Sequence, residues 1–293
     1  MTSFFKTDKG KCYHSSIEDF LKSIHSKKLK GKVNLIFTSP PFPLNRKKKY
    51  GNKIGEEYLK WLVKIAKDLK ELLADDGSLV IEIGNSWEPG LPEMSTLPIE
   101  SLLAIKTQAE YHLCQQFIWY NTAKLPSPAQ WVTVERIRVK DSFTSIWWFS
   151  KTSKPKANNK NVLTEYSKSM KKLLKTGKYN SGIRPSEHVI NVDSFTKDNS
   201  GAIPSNVLIS ANTLSNSSYL DYCKKNGIEL HPARMPIDLP NFFIKLLTDE
   251  NDLVLDPFGG SNTTGESAEK LNRKWVSVEA NEAYILGSKG RFV

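Results

Sequence analysis

The sequence is poor in cysteine and has no long apolar run. Its three cysteines, Cys12, Cys114 and Cys223, lie far apart and form no C-x-x-C pair, which excludes a disulfide scaffold and argues against a zinc module. No stretch reaches the ~18 apolar residues of a membrane span, and the first residues lack the apolar core of a secretory signal. We therefore expect a protein of a reducing, intracellular compartment with no membrane partner.

Acidic residues are also scarce relative to basic ones. The chain has 42 Lys and Arg against 31 Asp and Glu, a formal net charge of +11. A basic soluble protein often binds a polyanion, most commonly nucleic acid, although the charge alone is also compatible with simple solubility. The length of 293 residues fits one large α/β domain or a core with one insertion.

Apolar patterning predicts strands that alternate with helices. Such alternation indicates a mostly parallel sheet covered by helices on both faces. Strands are expected at 33–38, 78–83, 113–120, 142–150, 252–255 and 274–278, and helices at 56–74, 239–247 and 266–271. The periodicity fades between 151 and 228, and residues 151–200 contain eleven Lys and Arg but only four Asp and Glu. We expect a core of 1–150 and 229–293 with a loop-rich basic insertion at 151–228.

A glycine-rich turn lies between a predicted strand and a predicted helix. Residues 256–265 read DPFGGSNTTG, which matches neither the P-loop nor the G-x-G-x-x-G pattern. Glycines allow a ligand to approach the backbone closely, and a helix N-terminus offers unpaired N–H groups. Glu279 ends the next strand, where a carboxylate can accept both hydroxyls of a ribose. The pattern is compatible with a nucleoside cofactor site, and equally with a turn that is only structural.

A second motif, Thr38 to Phe42 with the sequence TSPPF, follows an apolar strand. Two prolines fix the backbone and remove two N–H donors but leave their carbonyls as acceptors. Ser39 adds a hydroxyl and Phe42 adds a flat apolar face. A group of acceptors beside a stacking surface suits the exocyclic amine of a planar base. A rigid structural loop is the other reading of this motif alone.

Together the two motifs resemble those of a known enzyme family. Residues 39–42 (SPPF) resemble the S-P-P-[YF] catalytic motif of amino-group DNA methyltransferases, and residues 256–261 (DPFGGS) resemble their D-P-F-x-G-S loop. The catalytic motif comes first in the chain, which is the order found in the β group. Further segments similar to that group are 231–236 and, as in its N4-cytosine members, 46–52, 124–128 and 136–141.

The resemblance implies a circularly permuted, Rossmann-like methyltransferase fold in which 151–228 is a basic target-recognition region. It implies methyl transfer from S-adenosylmethionine to N4 of a flipped-out cytosine in duplex DNA. The implied catalytic residues are Ser39, Pro40, Pro41 and Phe42. The implied cofactor residues are Thr38, Asp256, Phe258, Gly260, Ser261, Asn262, Thr263, Thr264, Glu279 and His231.

Basic residues just after the catalytic motif are expected to contact DNA phosphates, although a solvated basic loop is the other reading. They are Arg46, Lys47, Lys48 and Lys49. The implied partners are double-stranded DNA and, in a restriction–modification system, a cognate endonuclease acting on the same site. No metal is implied and no oligomer is required. The expected location is the cytoplasm of a prokaryotic cell, at the nucleoid during activity.

Other activities remain open from the sequence. An N6-adenine methyltransferase of the same group shares the geometry, but such enzymes usually carry Asp or Asn where Ser39 stands. A catalytically silent DNA-binding relative and an RNA or protein methyltransferase are further alternatives. C5-cytosine methylation is disfavoured, because it needs a nucleophilic cysteine, usually next to proline, and none of the three cysteines has a proline neighbour.

Two positions depart from the family pattern. Asn262 stands where many relatives have glycine, although asparagine also tolerates a left-handed backbone. Ser15 stands where relatives have an aspartate near the cofactor adenine, so a different contact to the adenine is expected.

Overall fold

The computed structural model describes residues 2–42, 53–177, 179–191, 194–213 and 217–293. They form two compact units, one of Met1–Ala157 with Asn206–Val293 and the other of Asn158–Ser205. In these ranges no helix has both the length and the apolar character needed to cross a bilayer.

The larger unit is built on one nine-stranded sheet. Its order is β1-β2-β11-β10-β3-β4-β6-β5-β9. The strands are β1 (Phe5–Lys6), β2 (Gly10–His14), β3 (Val33–Thr38), β4 (Leu73–Ile83), β5 (His112–Tyr120), β6 (Phe143–Ser150), β9 (Val207–Ile209), β10 (Leu253–Asp256) and β11 (Lys274–Glu279). The pairs from β2 to β4 and the β5–β9 pair are parallel, whereas β1–β2, β4–β6 and β5–β6 are antiparallel. The predicted mostly parallel sheet is confirmed.

Helices cover both faces of this sheet. They are α1 (Ile17–Lys22), α2 (Ile24–Leu29), α3 (Gly55–Lys70), α4 (Leu97–Thr107), α6 (Ser218–Lys225), α7 (Asp238–Leu247), α8 (Thr263–Lys270) and α9 (Glu282–Ser288). Successive side chains of a strand point to opposite faces. Ile36 of β3 packs in one core cluster with residues of α3 and α4, whereas the neighbouring Phe37 stacks on Phe243 of α7 at 5.5 Å. Burial on both faces explains why β3 is apolar almost throughout.

Two predicted helix boundaries are wrong. The helix predicted to begin at 266 is α8, which begins at Thr263. The apolar period suggested a helix from 56 to 74, but α3 ends at Lys70 and β4 begins at Leu73. Leu72 lies in the connection, where its carbonyl accepts N–H bonds from Lys32 and Val33, and its side chain is buried in the same core cluster as α3. An apolar residue that leads into a strand therefore extended the helical pattern by chance.

The smaller unit contains α5 (Lys168–Thr176) and a two-stranded ribbon of β7 (Gly182–Ile183) and β8 (Val189–Ile190). It is shorter than the predicted insertion of 151–228. Residues 206–228 belong to the larger unit, because β9 pairs with β5 and Tyr219 of α6 is fully buried there. The fading periodicity reflected short elements rather than a separate domain over the whole interval.

Candidate active site

The two motifs singled out in the sequence meet at one edge of the sheet. β3 and β10 are parallel neighbours, so their carboxyl ends lie side by side. The TSPPF segment follows β3 and the glycine-rich turn follows β10. The Thr38 hydroxyl donates to Asp256 Oδ1 over 2.7 Å, which links positions 218 residues apart in the chain.

Hydrogen bonds to Asp256 stabilise the glycine-rich turn. Its carboxylate is buried and also accepts the Thr264 hydroxyl at 2.7 Å and the Phe258 N–H at 3.1 Å. Burial raises the pKa of this carboxyl group, and the three hydrogen bonds oppose the rise. Because both oxygens already accept protein donors, the main contribution of Asp256 is to fix the shape of the turn.

The turn uses left-handed backbone at two positions. Gly260 has φ 51° and Asn262 has φ 59°. Asn262 is also the N-cap of α8, where its side-chain oxygen accepts the Gly265 N–H at 3.2 Å. A side chain at Gly260 would place its Cβ 3.0 Å from His231 Nε2. Glycine is therefore needed at 260, while asparagine tolerates the left-handed backbone at 262.

Glu279 closes the other side of the turn. It ends β11, and its two oxygens accept the N–H groups of Gly260 and Asn281, each at 2.7 Å. Burial raises the pKa of the Glu279 carboxyl group. Each oxygen keeps a second lone pair, so the carboxylate can accept further hydroxyl donors from a ligand.

A cavity of about 530 Å³ opens between the two motifs. That volume lies in the range of sites that hold small molecules and cofactors. The predicted site residues that line it are Ser39, Pro40, Pro41, Phe42, His231, Asp256, Phe258, Gly260, Ser261, Thr263, Thr264 and Glu279. Thr38 and Asn262 do not line it, because the first is buried beneath Asp256 and the second caps α8. The predicted DNA contacts Arg46, Lys47, Lys48 and Lys49 lie outside the described residues.

His231 forms one wall of the cavity. Its ring packs edge-on against Tyr284 at 4.5 Å, and its backbone N–H donates to the Tyr219 hydroxyl at 2.9 Å. Burial lowers the pKa of His231 to about 4, so the imidazole is neutral at physiological pH. It can therefore pack beside a positively charged ligand without repelling it.

The cavity is also lined by residues outside the predicted site set. The Trp61 ring lies 5.7 Å from that of Phe258, and its indole N–H donates to Glu18 Oε1 at 2.7 Å. Ser15 also lines the cavity, and its backbone N–H donates to the Glu279 carbonyl at 2.9 Å. Trp61 borders the apolar face of α3, so helical periodicity alone gave no reason to separate it from the core.

The most consequential residue missed in the sequence is Glu82. It is buried in β4 beside β3 and shares a hydrogen bond with the Ser39 side chain. Burial raises the pKa of Glu82 to about 7, and the Ser39 bond and the charge of Lys124 moderate that rise. A signal was present in the sequence, because Glu82 is the one acidic residue in the apolar run 79–83.

Phe42 packs against a further unpredicted residue, Gly84. A Cβ at Gly84 would lie 2.5 Å from Phe42 Cε2, so only glycine allows the ring to lie this close to the end of β4. The ring thereby lines the same cavity as Ser39.

A cavity at the carboxyl edge of a mostly parallel sheet, lined by a glycine-rich turn and by the SPPF segment, is the arrangement of an α/β enzyme that binds a cofactor beside its substrate. Residues 33–289 match the DNA methylase family, and the chain belongs to it. The family predicted from the two motifs is thus confirmed.

The chain is also similar to individual methyltransferases. The chain is 43% identical to the Type II methyltransferase M.PvuII of Proteus hauseri, over 99% of this chain and 85% of the relative. It is 24% identical to M.BglII of Bacillus subtilis, over 97% of this chain and 69% of the relative. The solved PvuII DNA methyltransferase, titled cytosine-N4-specific, superposes with a TM-score of 0.80 and 37% identity over 99% of this chain and 89% of that one.

The fold is shared more widely. M1.HpyAVI, solved as a complex with S-adenosylmethionine, matches with a TM-score of 0.56 and 19% identity over 97% of this chain and 98% of that one. The Rossmann-like methyltransferase fold predicted for the chain is confirmed.

Proposed function

We propose that this protein transfers a methyl group from S-adenosylmethionine to the N4 amine of a flipped-out cytosine in duplex DNA. The main support for this proposal is the position of Ser39. It lines the cavity beside the glycine-rich turn and is hydrogen-bonded to the buried Glu82. Family membership and the printed cytosine-N4 specificity of the PvuII enzyme support it.

The residues around the turn fit the proposed cofactor. Glu279 can accept the ribose hydroxyls, and the N-terminus of α8 offers N–H groups to the carboxylate. Phe258 and Trp61 provide apolar surface for the adenine. When bound, S-adenosylmethionine supplies an electrophilic methyl group on a sulfonium.

The SPPF segment fits the acceptor base. The ring of Phe42 can stack on cytosine, which recovers about 1–3 kcal/mol of the cost of unstacking. The Pro40 carbonyl and the Ser39 hydroxyl oxygen can each accept an N–H of the exocyclic amine. These bonds orient the nitrogen and stabilise the positive charge that develops on it.

Glu82 completes this arrangement. When it is ionised, the Ser39 hydroxyl donates to its carboxylate and turns its own lone pairs towards the base. The methylated nitrogen must lose one proton, and Ser39 can pass that proton to Glu82. With a pKa of about 7, Glu82 is partly ionised at neutral pH and is suited to accept it.

The DNA itself is proposed to be held by basic segments. Arg46 to Lys49 would contact phosphates near the flipped nucleotide, and the basic residues of Asn158–Ser205 would take part in target recognition. Because the relatives are Type II methyltransferases, a restriction endonuclease cutting the same sequence is the proposed partner.

The test is the chemistry of host DNA. Chromosomal DNA from cells expressing the chain should contain N4-methylcytosine after digestion to nucleosides and mass spectrometry. Cells expressing Ser39→Ala at the same level should lack it. N6-methyladenine in place of N4-methylcytosine would overturn the assignment of the base, and no methylated base would overturn the activity on DNA.

A further inference from the structure

The segment between β5 and β6, residues 121–142, lies at the edge of the sheet that carries the active site. β6 runs antiparallel to β4, so the start of β6 is next to the end of β4, with Ser145 opposite Ile83. The 121–142 segment therefore leaves and re-enters the sheet beside Glu82 and the SPPF motif.

Hydrogen bonds hold this segment in place. The Asn85 side-chain amide donates to both carboxylate oxygens of Asp141, at 2.9 and 3.1 Å. The Asp141 N–H donates to the Ser127 carbonyl at 3.1 Å, and the Lys140 ammonium donates to the Lys124 carbonyl at 3.3 Å. Lys124 is close enough to Glu82 for its charge to lower the pKa of that carboxyl group. The part of the segment around 124–127 is thus fixed near the acceptor site.

The same segment exposes apolar side chains among cations. Leu125 is 80% exposed and Val139 is 88% exposed. Lys124, Arg136 and Lys140 carry positive charge in the same stretch. Single exposed apolar residues need no explanation, but apolar side chains interleaved with cations fit a ligand that is anionic outside and apolar within. A DNA duplex, with phosphates around stacked bases, is such a ligand.

We propose that Leu125 inserts into the base stack and fills the space that the target cytosine leaves, while Lys124 and Lys140 contact the flanking phosphates. The inference rests on the proposed action on duplex DNA. Inserted apolar side chains are a known way to keep unstacked steps of a duplex open. Without one, the flipped base returns more readily to its stack.

Leu125 suits this role better than Val139, the other most exposed apolar residue of the segment. It directly follows Lys124, whose carbonyl accepts from Lys140, next to the Asp141 that Asn85 holds just beyond the end of β4. The following Pro126 restricts the backbone of Leu125 to extended conformations, so the side chain is presented on a stiff support. Val139 is somewhat more exposed but shorter, and it provides a matched control.

The test compares Leu125→Ala with Val139→Ala on two duplexes that contain the methylated sequence identified in host DNA. In one duplex the target cytosine pairs with guanine, and in the other it faces an abasic site and needs no unpairing. We expect Leu125→Ala to slow single-turnover methylation at least tenfold on the paired duplex and to act within about twofold of wild type on the unpaired one. Leu125→Met should retain most activity, and Val139→Ala should match wild type on both.

Three results would overturn the role of Leu125. They are wild-type rates for Leu125→Ala on the paired duplex, a loss of the same size on the unpaired duplex, or an equal loss for Val139→Ala. Thermal unfolding of each variant is measured as a control for misfolding. Because the Leu125 side chain is 80% exposed, we expect the midpoints of variant and wild type to agree. Equal midpoints show that a change in rate does not come from misfolding. Absence of N4-methylcytosine with the wild-type protein would instead overturn the proposed function.

Discussion

At the scale of single residues, the Glu82 carboxyl group connects the reaction to pH. Since its pKa is about 7 and the ionised form accepts the proton, turnover of the wild-type protein should rise through pH 7 and level off above about pH 8. Glu82→Gln should lose about 10²-fold or more in turnover and show no rise with pH. Single-turnover rates across pH 5.5–9 on one duplex give both quantities. A wild-type profile that is flat through pH 7, or a Glu82→Gln rate equal to wild type, would contradict the role of Glu82.

Ionisation of Glu82 favours turnover but lowers the stability of the folded chain. The raised pKa means that the folded chain keeps a proton that the unfolded chain releases above its ordinary pKa of 4.5. The stabilisation is complete below that value and is lost as the pH rises through about 7. Wild type loses this stabilisation and Glu82→Gln does not. The unfolding free energy of Glu82→Gln minus that of wild type should therefore increase by up to about 3 kcal/mol from acid pH to pH 8. Denaturant unfolding at the two pH values measures the difference, and an equal difference at both would contradict it.

Glu279 is the residue on which cofactor affinity should depend most. Glu279→Ala removes the carboxylate proposed for the ribose hydroxyls and the acceptor for Gly260 and Asn281. Loss of charged hydrogen bonds should weaken S-adenosylmethionine binding by about 10- to 100-fold in calorimetry. Glu282→Ala, an exposed glutamate at the start of α9, is the control and should bind as wild type does. Unchanged affinity in Glu279→Ala would remove it from the site.

At the scale of elements, the start of α8 depends on one residue. Asn262 caps the helix and adopts a left-handed backbone conformation. Asn262→Ala should destabilise the fold by about 1–3 kcal/mol, because it removes the cap and introduces backbone strain. Asn262→Gly should lose less, since glycine tolerates the conformation and is an acceptable cap. Chemical unfolding of both variants tests this, and equal stability of the two would show that the backbone conformation contributes nothing.

Some elements of the fold could be predicted from the sequence and others could not. β3 and β10 were predicted correctly because strands buried on both faces form short apolar runs with clear ends. The end of α3 was misplaced, because Leu72 continues the helical period while lying outside the helix. Residues 206–228 were assigned to the insertion because a three-residue strand and an eight-residue helix leave too little periodicity to detect.

The site was predictable only in part for a related reason. Ser39 and Glu279 lie in local motifs whose chemistry is visible along the chain. The partners Thr38 and Asp256 lie 218 residues apart, so their bond depends on the sheet order and not on any local pattern. Glu82 was visible as a charge in an apolar strand, but its contact with Ser39 required the β3–β4 pairing.

At the scale of the whole molecule, the net charge of +11 should govern binding to DNA. Lysine and arginine contacts to phosphates release counterions, so affinity falls linearly on logarithmic axes as salt rises. For about six or more such contacts, the loss should be about a thousandfold between about 50 and 200 mM salt. Fluorescence anisotropy with a labelled duplex measures it, with S-adenosylmethionine affinity over the same range as the control. A DNA affinity independent of salt would contradict binding through phosphates.

In the proposed reaction, one cavity brings the methyl donor to the amine of a cytosine. The most direct measurement uses the purified protein, mixed-sequence duplex DNA and S-adenosylmethionine carrying a deuterated methyl group, with the nucleosides analysed by fragmentation mass spectrometry. We expect cytosine with the deuterated methyl group on its exocyclic nitrogen. Label on adenine N6 or cytosine C5, or no label in DNA, would contradict it.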